Sequence, residues 1–220
     1  MDIQYLKKEK RKCFITPVYY GFDDSFVEDL NKITDPYIKD ARKRNAAEIK
    51  KTKDFGLIHH STSLITDEKT KDFQEMIFNT AYNMLDQQQG YDLKDYQLFI
   101  TELWVQEFSK NGGGHHDPHI HWNGHLSGFY FLKASNLTSR PSFYDPRPGK
   151  AMNDLPMKDP KSVNDAQSVI NYEVKPGTII FFPSYLTHGF AVDSGKEPFR
   201  FIHWNIQAVP KGAINYGTQK

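Results

Sequence analysis

From Tyr96 onward the sequence consists of short alternating segments with no helical stretch between them, and this pattern constrains the fold most strongly. Apolar and polar residues alternate with a period of two, which is typical of strands that bury one face. The expected strands are 97–108, 118–133, 142–144, 169–174, 178–182, 187–192 and 199–209. Because frequent turns separate them and no helices intervene, these strands predict a β-sandwich or jelly roll.

The N-terminal part differs, because its apolar residues recur mostly at helical spacing. One exception is the alternating segment 13–20, which predicts an edge strand, since Pro17 has no N–H to donate. We expect a helix after this strand and a second, charged helix that begins at Pro36. A stronger helix is expected over 67–88, where apolar residues recur every three or four positions.

No repeat or linker divides the 220 residues, and we expect a single domain. In this interpretation, residues 1–95 supply an N-terminal strand and supporting helices, 96–209 form the β core, and 210–220 are a C-terminal tail. The segment 147–165 is rich in proline and polar residues and is expected to be a long surface loop. The expected fold class is therefore mainly β with N-terminal helices.

Composition narrows the function classes. Lys and Arg number 28 and Asp and Glu number 27, a balance that excludes broad electrostatic capture of nucleic acid or anionic membrane. No apolar run is long enough for a transmembrane helix, and the first residues lack the apolar stretch of a secretory signal. The single cysteine, Cys13, fits a reducing compartment. We expect a cytoplasmic protein, in the host cytoplasm if the chain is viral, with no membrane or nucleic-acid partner.

Histidines are concentrated in one short segment of the β half. Five of the nine lie within eleven consecutive positions, a density that packing alone does not explain. Neutral imidazole is the most common metal ligand near pH 7. Residues i and i+2 of a strand face the same side, so that His119 and His121 could both point at one ion. His115 with Asp117, and His121 with Asn123, repeat that geometry in other registers.

An iron site of the facial type needs a third ligand. His188 is the best candidate, because a turn, an apolar strand and a second turn bring it to the start of another strand. His203 is weaker: alternation places it on one face with Phe201 and Asn205, where it could line the site or belong to the core. Arg200, in the same aromatic strand, needs a partner if it is buried. An internal ion pair and a bidentate contact with a carboxylate ligand would both satisfy it.

Four segments in order resemble the small 2-oxoglutarate/Fe(II)-dependent oxygenases of a branch that is common in viral and bacterial genomes and distantly related to prolyl hydroxylases. Residues 119–133 are similar to the H-x-H…S-G-x-Y-Y segment of this branch, and 143–147 to its F-x-D-P-R piece. Residues 176–188 are similar to P-G-x-x-x-x-F-P-S-x-x-x-H, and 200–205 to R-x-x-x-x-N. Together these segments extend over most of the β half.

The resemblance implies a double-stranded β-helix, which is a jelly-roll or cupin-like barrel, with iron at one mouth. It implies Fe(II), 2-oxoglutarate and dioxygen as cofactors, with ascorbate as a further reductant. His119, His121 and His188 would be the iron ligands, although most of the family carries a carboxylate where this chain has His121. The pair His115 and Asp117 would restore that common pattern.

The same resemblance implies a pocket for the cosubstrate. Arg200 would bind the carboxylate of 2-oxoglutarate that lies far from the iron, and Asn205 and Tyr130 would line the pocket. The implied reaction is hydroxylation of a substrate, coupled to decarboxylation of 2-oxoglutarate to succinate.

Other functions stay open on the sequence alone. A cupin-like dioxygenase with three histidines would need no 2-oxoglutarate, and a non-catalytic jelly-roll module would only bind a ligand or zinc. The side chain of Arg200 discriminates, because the 2-oxoglutarate hypothesis requires it to face the iron. The substrate is equally open and includes peptides, small molecules and nucleobases. Residues that could contact it are Trp104, Gln106, Trp122, Tyr144 and Arg147.

Overall fold

Two antiparallel sheets that face each other form the centre of the protein in this computed structural model, which describes residues 9, 12, 14–122, 124–152, 155–159 and 161–213. The strands are β1 (Tyr19–Phe22), β2 (Ile58–His60), β3 (Tyr96–Phe108), β4 (His116–His119), β5 (Leu126–Lys133), β6 (Pro141–Tyr144), β7 (Val169–Asn171), β8 (Thr178–Pro183), β9 (His188–Phe190) and β10 (Arg200–Pro210). The larger sheet has the order β1-β8-β5-β10-β3-β2, and the smaller one has the order β4-β9-β6-β7. This jelly-roll arrangement of two sheets confirms the fold class predicted from the alternating pattern.

The main difference from the expected strands concerns 118–133, which is two strands instead of one. β4 belongs to the smaller sheet and β5 to the larger sheet. Between them, the backbone N–H of His121 donates to the carbonyl of Ser184, and that of His125 donates to the carbonyl of Ile206. The chain therefore crosses from one sheet to the other within this segment.

The two short N-terminal strands were located less well by their sequence pattern. β1 begins at Tyr19, near the end of the expected segment 13–20, and Cys13 lies outside the described residues. β1 is the edge strand of the larger sheet, as Pro17 just before it predicts. The pattern does not predict β2, because a strand of three residues is too short to show a period.

Four α-helices lie in the described part of the chain: α1 (Val27–Arg44), α2 (Ala46–Thr52), α3 (Lys71–Asn83) and α4 (Pro148–Met152). The expected helix boundary at Pro36 is wrong, because α1 continues through this residue. The buried residues of α1 form one stripe that runs past Pro36, so packing on the sheet outweighs the hydrogen bond that proline cannot make. They are Leu30, Thr34, Ile38 and Ala41.

The other helices agree with the pattern in part. α3 lies within the expected helix 67–88, with a 3-10 turn before it and a π-helical turn after it. α4 lies within 147–165, where we expected only a loop. None of the helices among the described residues is long and apolar enough to cross a membrane.

The larger sheet separates two apolar cores. Its outer face packs on α1 and α3 in a core that includes Phe73 and Trp204. Its inner face meets the smaller sheet in a second core dominated by phenylalanine rings, such as Phe129 and Phe201. Side chains of a strand alternate between the two faces, so neighbouring residues of β5 and β10 belong to different cores. This alternation decides which side chains reach the space between the sheets.

Candidate metal centre

His119 and His188 lie directly opposite each other on neighbouring strands of the smaller sheet. β4 ends at His119, β9 begins at His188, and the antiparallel register pairs these two residues. β4 is an edge strand, which is where a strand tolerates a residue such as Pro118. The centroids of the two imidazole rings are 4.5 Å apart. Sheet pairing thus joins two histidines that are far apart in the sequence.

His121 completes a cluster of three imidazoles. Its backbone is held by the hydrogen bond to Ser184, which precedes β9. The centroid of its ring lies 5.2 Å from that of His119 and 5.0 Å from that of His188. One nitrogen of each ring lies within 4.8 Å of the corresponding nitrogens of the other two. Imidazole nitrogens bind transition metals at about 2.1 Å, so a small approach of these rings would let them hold one ion between them.

Hydrogen bonds orient two of these rings. Nδ1 of His119 lies 2.7 Å from the carbonyl oxygen of Asp117, and Nδ1 of His188 lies 2.9 Å from that of Leu186. A carbonyl oxygen only accepts, so each Nδ1 carries the proton and each Nε2 keeps its lone pair. The Nε2 atoms of His121 and His188 are buried and have no hydrogen-bond partner among the described residues. Buried polar atoms are rarely left without a partner, and a metal ion bound here would supply one.

Burial also keeps imidazoles of this cluster neutral. It lowers the pKa of His188 to about 3 and the pKa of His121 to about 4, and the neighbouring imidazole of His119 adds to both shifts. A neutral imidazole offers the lone pair that a metal ion requires. Both side chains are therefore uncharged at pH 7.

His203 stands directly behind the cluster, although its place in an aromatic strand favoured a core role. Its ring centroid is 4.5 Å from that of His121, and its ring stacks on Trp104 at 4.4 Å. Both ring nitrogens are buried and lack a hydrogen-bond partner among the described residues. The alternation of 199–205 is the sequence signal that places this residue on the inner face.

His116 is a second neighbour of the cluster, and sequence reasoning missed it. Its ring centroid is 5.7 Å from that of His119. Its Nε2 accepts a hydrogen bond of 2.6 Å from the side-chain amide of Gln106. Because His116 ends up beside the cluster through a bulge in the pairing of β4 with β9, simple alternation along β4 does not reveal it.

Asn205 lies on the inner face of β10, in contact with the cluster. Its amide nitrogen is 3.2 Å from Nδ1 of His121 and donates to a carboxylate oxygen of Glu102 at 2.8 Å. Its amide oxygen accepts from the hydroxyl of Ser127 at 2.5 Å. Asn205 thus links a ring of the cluster to the carboxylate of Glu102.

Arg200 does not face the histidines. It lies opposite Glu107 in the pairing of β10 with β3, and its Nε and Nη2 donate to one carboxylate oxygen at 2.9 and 2.7 Å. Its Nη1 donates to Asp35 of α1 at 2.6 Å. The side chain therefore lies on the helix-covered face of the sheet, away from Phe201 and His203. The expected contact with 2-oxoglutarate at the iron is corrected to an internal ion pair, the other partner that the sequence allowed.

Tyr130 is corrected for the same reason. Its hydroxyl donates to the backbone carbonyl of Asp23 at 2.7 Å, and its ring packs on Phe73 in the helix-side core. A side chain on that face cannot line a pocket between the two sheets.

The alternative ligands lie outside the cluster. The side chains of His115 and Asp117 are 49% and 93% exposed and face solvent instead of the other imidazoles. They therefore do not replace His119 and His121 in this structure. Asn123, which shares a register with His121, lies outside the described residues.

Two spaces adjoin the three imidazoles. Between the rings and the phenylalanine core is a cavity of about 10 Å³, which holds an ion or one water molecule. Beside β6 a groove of about 520 Å³ is lined by Tyr144, Arg147 and Leu186, among others. The ring of Phe143, which also lines this groove, is 6.2 Å from that of His188. Of the residues suggested for substrate contact, Trp104 belongs to the small cavity and Trp122 is an exposed ring outside both spaces.

A jelly roll that collects neutral imidazoles between its sheets is an arrangement typical of non-haem metal enzymes. Residues 102–201 match the family model described as a putative 2OG-Fe(II) oxygenase, and this segment contains His119, His121 and His188. This match confirms the resemblance seen in the sequence, which is to the 2OG-Fe(II)-dependent oxygenases, a class of enzymes whose cofactors are Fe(II), 2-oxoglutarate and dioxygen.

Solved structures share the fold at low sequence identity. A prolyl-4-hydroxylase from Pseudomonas putida aligns over 86% of this chain and 92% of its own, with 10% identity and a TM-score of 0.51. SnoK, a non-heme alpha ketoglutarate dependent carbocyclase from nogalamycin biosynthesis, aligns over 92% of this chain and 85% of its own, with 10% identity and a TM-score of 0.55. These similarities support the double-stranded β-helix fold. They do not indicate which substrate this chain acts on.

Two other comparisons add little. An oxidoreductase of the 2OG-Fe(II) oxygenase family from Burkholderia pseudomallei aligns with a TM-score of 0.39 and 10% identity, over 66% of this chain and 54% of its own. No curated protein matches this chain in sequence.

Proposed function

We propose that this protein hydroxylates a substrate with dioxygen and 2-oxoglutarate at an iron ion bound by His119, His121 and His188. One oxygen atom of dioxygen enters the substrate as a hydroxyl group, and the other enters the succinate that forms from 2-oxoglutarate. The carboxyl group next to the keto carbon leaves as carbon dioxide. Ferrous iron, when bound, supplies the activation of dioxygen, which no side chain provides.

The observation that carries this proposal is the meeting of three imidazoles from β4, the β4–β5 connection and β9. Their ligand atoms lie within 4.8 Å of one another, and two of the Nε2 atoms are buried without a partner in the described part of the chain. Three neutral ligands leave both positive charges of the ion uncompensated. The carboxylate of Glu102, which accepts from the amide of Asn205, would supply a negative charge connected through Asn205 to His121.

The remaining side chains at the centre orient the cosubstrate and enclose the reacting atoms. Asn205 and His203 line the position of the cosubstrate, because both lie on the inner face beside His121 and His203 has unused hydrogen-bonding nitrogens. The phenylalanine rings around the cavity exclude water from the reacting atoms. We place the substrate in the groove beside β6, since it is the large space next to His188. Peptides, small molecules and free nucleobases all have a size that this groove accepts.

An anaerobic titration tests the proposal. Protein loaded with Fe(II), with ascorbate to keep the metal reduced, should develop a weak visible absorption band when 2-oxoglutarate is added. Glutarate, which has the same length but no keto group to chelate the metal, is the matched control and should give no band. Admission of air should then convert 2-oxoglutarate into succinate. Iron binding without a band and without succinate would reject the proposal.

A second function is favoured by one feature of the site. The described residues that line the small cavity include no Lys or Arg, and the cavity itself has a volume of about 10 Å³. A dioxygenase that binds its substrate directly to a three-histidine metal ion, with no keto acid, has no need for such a cation. Oxygen uptake in the presence of substrate that does not depend on 2-oxoglutarate would favour this cupin-like alternative.

A further inference from the structure

A second large cavity lies on the other side of the larger sheet from the histidines. It has a volume of about 560 Å³ and opens between α1, the ends of β3 and β5, and the segment that precedes β10. Six cationic residues line it: Lys39, Arg42, Lys110, Lys133, Lys196 and Arg200. Three carboxylates line it as well: Asp35, Glu107 and Glu197. In a chain with a net charge of only +1, this is a local concentration of positive charge.

The floor of this cavity is a closed ion-pair network. Glu107 is buried between two guanidinium groups, with Arg200 at 2.7 Å on one oxygen and Arg42 at 3.0 Å on the other. Burial raises the pKa of Glu107, but the charges of Arg200 and Arg42 outweigh this effect and hold the pKa below its usual value. Asp35 and Asp54 bind the outer sides of the same two arginines at 2.6 and 2.9 Å. Lys133 lies 3.8 Å from the same carboxylate of Glu107, so three cations and three carboxylates compensate one another in the floor.

The positive charges at the rim of the cavity are not compensated by ion pairs in this way. Lys39, Lys110 and Lys196 are exposed and make no ion pair with any residue that the structure describes. They come from α1, from the turn after β3 and from the segment before β10, so they surround the opening instead of following one element. Glu197 is the only carboxylate near them in the described lining that takes no part in the floor.

We propose that this cavity, here called the lysine-rimmed cleft, binds a small phosphorylated molecule. The volume is within the range of ligand pockets and accommodates a diphosphate with an attached group. Flexible lysines act as point charges that suit phosphate oxygens from several directions, whereas the guanidinium forks that would favour a planar carboxylate are already bound to Glu107. The cleft and the histidine cluster lie on opposite faces of the larger sheet, so this inference does not depend on the proposed reaction.

Calorimetric titration of the full chain with inorganic pyrophosphate, in the absence of metal and at physiological salt, tests the proposal. We expect one pyrophosphate per chain, with an affinity that decreases as salt increases. The triple substitution Lys39→Gln, Lys110→Gln and Lys196→Gln should weaken binding by about tenfold or more, because three phosphate contacts are lost. The matched control changes three exposed lysines elsewhere, Lys50→Gln, Lys69→Gln and Lys94→Gln, and should stay within about twofold of the unchanged protein.

Three results would overturn the inference. One is the absence of saturable binding to the unchanged protein. Another is an equal loss of affinity in the control variant, which would show attraction to net charge alone. The third is binding of citrate as tight as that of pyrophosphate with the same dependence on the three rim lysines, which would assign the cleft to carboxylates.

Discussion

The two faces of the larger sheet are built from the same strands and have opposite chemistry. Toward the smaller sheet, β3 and β10 present Trp104, Phe201 and His203, which are uncharged and lie around the candidate metal centre. Toward the helices, the same strands present Glu107 and Arg200, which are charged and paired. The difference shows how one sheet serves two purposes: imidazoles kept neutral by burial can bind a metal ion, and ion pairs on the other face tie α1 to the sheet.

The largest expected effect belongs to the inner face. His188→Ala should weaken binding of Fe(II) by about 100-fold or more, because it removes one of three ligands. His115→Ala is the matched control, since this histidine is close in sequence to the cluster but exposed, and it should leave metal affinity unchanged. Competition with a metal-sensitive dye measures both. Full metal affinity in His188→Ala would remove this residue from the centre, and a loss in His115→Ala would restore the alternative ligand pair.

The substitution Arg200→Met should distinguish most clearly between the stabilising role of the outer face and the binding role of the inner face. It leaves Glu107 and Asp35 without a shared partner, so we expect a loss of about 3 kcal/mol in the free energy of unfolding. Chemical denaturation measures this loss. The affinity of the folded variant for Fe(II) and for 2-oxoglutarate should stay within about twofold of the unchanged protein, because the side chain lies on the far face. A variant of normal stability with lost affinity for 2-oxoglutarate would contradict the placement of Arg200.

The sequence motifs placed Arg200 on the wrong face of the larger sheet. Arg200 and Asn205 are five positions apart, so a regular strand directs them to opposite faces, and alternation alone excludes that both line one pocket. The positions expected for Arg200 and Tyr130 came from the motif similarity, which carries no information about the face of the sheet. The clustering of His119, His121 and His188 was expected from their spacing and motifs: His121 follows His119 by two residues, and His188 begins a short strand after a turn.

Other features could not be predicted because they depend on contacts between distant segments. The bulged pairing of β4 with β9 brings His116 to the cluster, and no period in the sequence indicates it. The helix α1 continues past Pro36 because its buried stripe packs on the sheet, a tertiary effect that outweighs the local signal. The longer strands β3, β8 and β10 were predictable because each one extends over six or more residues between turn signals.

A smaller effect is expected from Asn205→Ala. Asn205 contacts His121 and connects it to Glu102, so its loss should weaken metal binding by about tenfold without removing a ligand. The same dye competition measures this change. An effect as large as that of His188→Ala would mean that Asn205 itself binds the ion, and no effect would mean that His121 is oriented by other contacts.

The smallest expected effect concerns acid stability on the outer face. The pKa of Glu107 is lower in the folded state than its usual value of 4.5, so its ionised form stabilises the fold at neutral pH. This contribution is complete above the usual value and is lost as the pH falls through the lower, folded-state value. Glu107→Gln should therefore be less stable at pH 7 and should lose less stability than the unchanged protein between about pH 5 and pH 3. Denaturation curves that remain parallel over this range would contradict the pKa assignment.

X-ray absorption at the iron edge of the anaerobic Fe(II)-loaded protein tests the central claim most directly. The account predicts three imidazole ligands in the unchanged protein and two after His121→Ala. Two imidazoles and a carboxylate in the unchanged protein, with no change after His121→Ala, would contradict the three-histidine centre.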